Sequence, residues 1–310
     1  MTSILQPLVR SSGNFIADRR FSYAQDAADE GDFLAAAELC QQVLELVPDW
    51  AVARFALAQA QEKAGQIDAA IQSYVLTKNL SPDDEWGAAL HEARLKGETP
   101  KTPPAAYVRG LFDQYAPRFE KHLVQKLSYR GPDLIAQLLT QFGVTASDAR
   151  THAMDLGCGT GLCAPILRPL VQHLSGVDIA PAMVAIAQKR AIYDRLEVGD
   201  IDAVLELEPD ASVDLLVAAD VFIYVGDLER NFRESARVLK PGGLYAFTTQ
   251  SQNGGTYTLG ADMRYTHSVA YLVEQAAKHG MTARIIEDAS ARKDQGVPVP
   301  GSAILLQKAA

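Results

Sequence analysis

Basic residues are the minority charge in this chain: 29 Lys and Arg stand against 38 Asp and Glu, for a formal net charge of −9. A protein that grips a phosphate backbone needs a cationic face, so DNA and RNA are disfavoured as substrates. Cysteines number only three, Cys40, Cys158 and Cys163. That is too few for a disulfide framework and suits a reducing, cytoplasmic setting. Cys158 and Cys163 have no histidine or second cysteine pair nearby, which argues against a metal site. No apolar run reaches the roughly 18 residues that a membrane-spanning helix requires. No acid precedes Asp18, while Arg10, Arg19 and Arg20 are present; a short polar leader before the first helix is expected here, not a transit peptide. What remains is ordinary: 48% apolar and 22% charged residues over 310 positions, enough for two domains with a core each.

The first hundred residues repeat every 34. Ala24 returns as Ala58, Gly31 as Gly65, Phe33 as Ile67, Ala36 as Ala70, Leu46 as Leu80, and Pro48-Asp49 as Pro82-Asp83. Cys40 and Tyr74 share the position where the pattern usually has an aromatic. Small residues at the close-contact positions and a terminal proline define the tetratricopeptide helix–turn–helix. Units are expected at 17–50 and 51–84, with a further helix from Glu85 to Lys96. Two units rarely bury a continuous core alone, so the array is expected to lean on another domain, a second subunit or a protein partner. Residues 99–105 have linker composition. The expected division is a repeat domain over 1–98 and a second domain over 106–310.

Within the second domain, Tyr107 to Leu139 reads as two or three helices. Met154-Asp155-Leu156-Gly157-Cys158-Gly159-Thr160-Gly161-Leu162 then joins a strand to a glycine-rich turn, with a helix expected from Leu162 to Leu174. Glycines let backbone N–H groups approach a ligand closely, and the helix N-terminus adds positive potential. Three more strand patterns end in acids: Leu174 to Asp178, Leu196 to Asp200, and Val213 to Asp220. An acid at the second strand tip suits the two hydroxyls of a ribose, and one at the third suits an adenine amino group. Strands alternating with helices imply a doubly wound, mostly parallel sheet. Gly280 to Asp288 and Ser302 to Gln307 are the last strand-like runs, separated by a long loop. A dinucleotide fingerprint would place a small residue where Leu162 stands, and Asp155 would repel a pyrophosphate. An amine-bearing ligand is better served. The balance favours S-adenosylmethionine over a nicotinamide dinucleotide.

At this point the chain resembles the class I S-adenosylmethionine-dependent methyltransferases. Asp155 to Gly161 is similar to their glycine-rich motif, Val177-Asp178-Ile179 to the ribose strand, Gly199-Asp200-Ile201 to the adenine strand, and Leu239 to Leu244 to the turn before the fifth strand. Tyr107 to Leu123, Asp220 to Leu228 and Arg264 to Ser268 resemble a branch with tetratricopeptide repeats in front. The resemblance covers roughly residues 105 to 308. It implies a seven-stranded Rossmann-like sheet whose last strand is antiparallel, with helices ahead of the first strand covering the cofactor. Asp155, Gly157, Gly159 and Gly161 would then hold the methionine part, Asp178 and Ile179 the ribose, and Asp200 and Ile201 the adenine. Asp220 would adjoin the reacting group, and Tyr115 and Arg118 the methionine end.

Methyl transfer from a sulfonium needs alignment above all, and a general base only for a protonated acceptor. Asp220-Val221-Phe222-Ile223 stands where amide and adenine N-methyltransferases carry an Asn/Asp-Pro-Pro-aromatic tetrad, which counts against those acceptors. Asp220, Tyr224 and His267 are the catalytic candidates; His267 has the suitable unperturbed pKa. Arg264 and Arg292 are candidates for clamping an acidic acceptor. A small-molecule acceptor is expected, with a protein-interaction scaffold as the alternative.

Overall fold

The computed structural model describes residues 11–148, 150–286, 289–294 and 296–310. Arg10 of the expected leader, and Glu287 and Asp288 at the end of the penultimate strand, lie outside the described residues. The chain forms two compact units that divide between Leu111 and Phe112.

In the first unit, helices α1 (Phe15–Asp29), α2 (Phe33–Leu46), α3 (Ala51–Lys63) and α4 (Ile67–Leu80) form two antiparallel pairs, followed by α5 (Ala88–Leu95). Asn14 caps α1 by accepting from the Ile16 and Ala17 amides, and Asp32 caps α2 through the Ala35 amide. The repeated alanines Ala24, Ala36, Ala58 and Ala70 are buried and let the helices pack closely. Phe21 and Trp50 meet with ring centroids 4.8 Å apart. Helix α5 is shorter than the expected Glu85–Lys96 span. Asp84 receives the Ala88 and Ala89 amides, and Gly87 is left-handed with φ +69°, so the helix starts after it.

Helix α6 (Ala105–Tyr115) contains the division between the units, and α7 (Phe119–Lys126) and α8 (Gly131–Gln141) follow. The second unit then alternates strand and helix: β1 (Arg150–Leu156), α9 (Ala164–Leu167), β2 (Val171–Asp178), α10 (Pro181–Lys189), β3 (Arg195–Val198), α11 (Ile201–Leu207), β4 (Val213–Ala218), α12 (Glu229–Val238) and β5 (Leu239–Gln250). A small hairpin, β6 (Tyr257–Leu259) and β7 (Tyr265–His267), precedes α13 (Val269–Lys278) and β8 (Met281–Ile286). The expected loop before the last strand holds a second hairpin, β9 (Lys293–Asp294) with β10 (Val297–Pro298), and the chain closes with β11 (Gly301–Lys308). The helix expected to fill Leu162 to Leu174 is only one turn, because Pro169 blocks its continuation and β2 already begins at Val171.

The main sheet has seven strands in the order β3-β2-β1-β4-β5-β11-β8. Strands β1 to β5 pair in parallel, while β11 runs antiparallel to both neighbours. Period-two alternation sorts side chains onto its two faces. Leu216, Tyr245, Phe247, Ile304 and Leu306 share one core with Phe232 of α12 and Leu272 of α13. Leu215, Val217, Leu244, Ala246 and Leu305 share the other with Leu134, Ile135 and Leu138 of α8. Burying each such aliphatic or aromatic side chain stabilises the fold by roughly 1.5–3 kcal/mol. The strand order reverses between β1 and β4, which opens a crevice at their carboxyl ends.

Candidate functional site

Strand β1 ends at Leu156, and the chain turns through Gly157, Gly159 and Gly161, all left-handed with φ of +66°, +54° and +85°. At Gly157 only glycine is tolerated: an added Cβ would stand 2.5 Å from the Val221 side chain. The turn is pinned from β2. Cys158 donates its amide to the Val177 carbonyl at 2.9 Å, and Gly159 donates to Asp178 Oδ2 at 2.9 Å. Asp178 Oδ1 accepts the Ala180 amide at 2.9 Å.

Asp155 and Asp178 are 1% and 7% exposed. Burial pushes the Asp155 carboxyl up to about 7; the Tyr193 hydroxyl, donating to Oδ2 at 2.6 Å, works against this, and the Asp178 charge adds to it. Burial likewise raises Asp178 to about 6, opposed by the Ala180 and Gly159 amides. No lysine or arginine among the described residues contributes to either shift. Thr160 Oγ1, in the middle of the turn, is buried and without a hydrogen-bond partner. Two buried carboxylates lacking a cation, an unpaired hydroxyl and a turn closed to side chains fit a ligand with an ammonium group and hydroxyl donors. S-adenosylmethionine has both, and the donor set therefore fits it.

The other sequence candidates divide into two groups. Asp200 lies two residues past β3 and caps α11, its Oδ1 accepting the Asp202 and Ala203 amides at 3.1 Å each. Ile179 and Ile201 are half-buried beside Asp178 and Asp200 in the chain. Asp220 does not end β4 as the strand pattern suggested; it sits two residues beyond, left-handed with φ +61°, its amide bonded to Thr248 Oγ1 at 2.8 Å. Both its oxygens accept from Arg292 Nη1. Tyr224 hydrogen-bonds Arg264, and its ring meets Phe112 edge-on at 5.0 Å. Tyr115 is buried against His122, whose Nδ1 it contacts, and burial pushes its hydroxyl up to about 12. Arg118 is exposed.

His267 is placed away from any open surface. It is fully buried, its Nε2 bonded to the Gly226 carbonyl at 2.9 Å, its ring stacked on Tyr271. Burial pulls its pKa down to about 4, against the Gly226 and Val225 carbonyls. It ties the β6–β7 hairpin to the segment after β4.

Sequence reasoning did not find Tyr193, Arg190, Tyr129 or Asp113. Tyr193 holds Asp155; Arg190 donates to the Thr160 carbonyl at 2.6 Å and pairs with Glu120 at 2.7 Å; Asp113 accepts the Ala182 amide at 2.9 Å. Tyr129 is buried under the influence of both Asp155 and Asp220, and its hydroxyl is raised well above the ordinary value, chiefly by burial. Tyr193, Arg190 and Tyr129 belong to no local motif, and Asp113 lies within the Tyr107–Leu123 segment without standing out there.

Residues 154–247 match the methyltransferase domain family, and residues 27–92 match the tetratricopeptide repeat. The chain is 28% identical to human methyltransferase-like protein 27 over 199 residues, covering 64% of this chain and 77% of the relative. It is 33% identical over 104 residues to the probable S-adenosylmethionine-dependent methyltransferase CRG1 of Saccharomyces cerevisiae, covering 32% of this chain and 35% of that one. Among solved structures, the [4+2]-cyclase SpnF superposes with a TM-score of 0.53 at 19% identity, covering 68% of this chain and 98% of that chain, a likeness of fold. No helix among the described residues is long and apolar enough to cross a membrane. The chain carries an S-adenosylmethionine-dependent methyltransferase domain preceded by tetratricopeptide repeats.

Proposed function

We propose that the protein transfers the methyl group of S-adenosylmethionine to a small-molecule acceptor in the cytoplasm. The observation that carries this reading is the pair of buried carboxylates, Asp155 and Asp178, without a cationic partner beside the glycine turn. In this reading Asp155 accepts the ammonium of the methionine part, with Gly157, Gly159 and Gly161 lining it. Asp178 and Ile179 receive the ribose, and Asp200 with Ile201 the adenine. Tyr115 and Asp220 adjoin the methionine end, and Tyr224 orients the acceptor. The bound cofactor supplies an electrophilic methyl carbon on a good leaving group. The protein's task is to hold the acceptor in line and exclude water, which alone is worth several kcal/mol.

The net charge of −9 supports a small molecule over nucleic acid, and three free thiols support a reducing compartment. Residues 1–98 form the repeat domain in this reading, 99–105 the linker and 106–310 the catalytic domain. The repeat match supports a second role, docking of a protein partner. Calorimetry with S-adenosylhomocysteine tests the cofactor assignment. Asp178→Ala weakens binding by about tenfold or more, each hydrogen bond to a charged group being worth roughly 1.5–3 kcal/mol; unchanged affinity rejects it. Methyl-labelled cofactor and a source-cell extract then show whether label enters metabolite or protein.

A further inference from the structure

One buried cation in the second unit carries a hydrogen-bond donor that nothing satisfies. Arg292 is 3% exposed. Its Nη1 donates to Asp220 Oδ1 and Oδ2 at 2.9 and 3.0 Å, while its Nη2 is buried without a partner. Thr249 Oγ1, on β5, is a second buried group with none. Both residues line the same cavity of about 10 Å³, together with Asp220, Gln250 and Pro300. A charged donor and a hydroxyl left unpaired in one enclosed place are costly unless something completes them.

The charges point the same way. Arg264 is half-buried nearby, under the influence of Tyr224 and acting, like Arg292, on Asp220. Its next carboxylate, Asp262, stands at 3.7 Å, beyond hydrogen-bond reach, and is 40% exposed to water. Arg292 and Arg264 both act on the half-buried Asp220, and Arg264 has Asp262 as a second ion-pair partner. Tyr115 and Tyr129 adjoin the same charges, but burial keeps both hydroxyls neutral. Of these two guanidiniums, Arg292 is the one that keeps a buried N–H without an acceptor. A larger cavity of about 360 Å³ shares Gln250, Val299 and Pro300 with the first and has Asp262 and Asp294 on its wall.

We propose that these joined cavities are the acceptor site, and that the acceptor carries a single carboxylate. One carboxylate oxygen enters the small cavity and accepts from Arg292 Nη2 and Thr249 Oγ1, beside Arg264, while the rest of the acceptor occupies the larger cavity. A carboxylate suits better than a phosphate dianion, because the inner cavity is small and one guanidinium N–H and one hydroxyl match a planar carboxylate oxygen. Asp262 and Asp294 repel a second carboxylate at the outer end. The proposal rests on the methyl-transfer reading, since Arg292 holds Asp220 and the adjoining Val221 lies against Gly157 of the glycine turn.

Three probes of one chain length test it by titration calorimetry on the full chain saturated with S-adenosylhomocysteine: hexanoate, hexanamide and adipate. Hexanoate is expected to bind about tenfold more tightly than either of the others, as loss of a charge-assisted contact implies. Thr249→Val weakens hexanoate severalfold, and Arg292→Met removes its preference over hexanamide. Thr249→Val keeps S-adenosylhomocysteine affinity within about twofold of the parent, because Thr249 is not among the residues assigned to that ligand. Equal binding of hexanoate and hexanamide, equal binding of adipate, or no hexanoate binding at about 10 mM overturns the proposal and leaves a cavity for water only. A large loss of S-adenosylhomocysteine affinity in Arg292→Met overturns it too, by giving the arginine to the cofactor. If Arg292→Met fails to fold, Thr249→Val decides. Failure of the methyl-transfer reading shows earlier and separately, as a parent protein that does not bind S-adenosylhomocysteine at all.

Discussion

The two halves of the crevice are built in opposite ways. On the β1–β2 side, Asp155 and Asp178 are buried with no cation, and backbone amides of a glycine turn surround them. On the β4–β5 side, Asp220 is half-buried, held by Arg292 and influenced by Arg264. The first half holds carboxylates without a cation, and the second a guanidinium with an N–H left unpaired. A cofactor that is cationic at its reacting end and an anionic acceptor would complement the two halves and bring opposite charges together at the point of transfer. The contrast also separates rigid from adaptable: the first half is backbone and the second is long side chains.

The largest expected effect falls on the rigid half. Gly157→Ala forces a side chain into Val221 and into left-handed backbone, destabilising the fold by about 2–4 kcal/mol. The fall in urea midpoint is expected to be partly reversed by adding Val221→Ala, which removes the clash and not the backbone strain. Full reversal, or no loss in the single variant, breaks the description of this half as a turn closed to side chains.

Asp155→Asn tests the carboxylate without a cation. With its folded pKa raised to about 7 from an ordinary 3.8, the native state favours the protonated carboxyl. Unliganded stability therefore falls as pH climbs from about 4 through 7, and the variant, which cannot ionise, escapes that loss. Affinity for S-adenosylhomocysteine needs the carboxylate and is expected to rise about tenfold from pH 6 to pH 8 in the parent, and to stay flat in Asp155→Asn. A pH-independent parent contradicts the picture.

The smallest effect is at the edge strand. Asp200→Ala removes the cap of α11, costing about 1 kcal/mol in thermal or urea unfolding. It lowers cofactor affinity less than Asp178→Ala does, because Asp200 is exposed and partly occupied by capping. A larger effect on binding than on folding would make it a true adenine contact of equal rank.

The difference between the halves also explains what could be read from sequence. Gly157, Gly159 and Gly161 announce themselves because a tight turn needs glycine in fixed register with the strand before it, and Asp178 follows at the next strand tip. The alternation of faces along β4, β5 and β11 is likewise a local pattern, so the sheet was legible. The helix after the glycine turn was overdrawn, since Pro169 matters more there than apolar spacing. Tyr193 was invisible because it reaches Asp155 only through the fold, from a loop before β3. Arg292 and Thr249 meet through the pairing of β5 with β11 and the hairpin before it. His267 misled for the same reason: its intrinsic pKa suited catalysis, and burial against Gly226 removed it from that role.

A crystal structure of the full chain with S-adenosylhomocysteine tests the central claim most directly. The account predicts ribose hydroxyls within hydrogen-bond distance of Asp178 and the ammonium group against Asp155, with Thr160 Oγ1 newly paired or covered. A nucleoside seated away from these carboxylates, or carrying its ammonium toward Arg292, would contradict it.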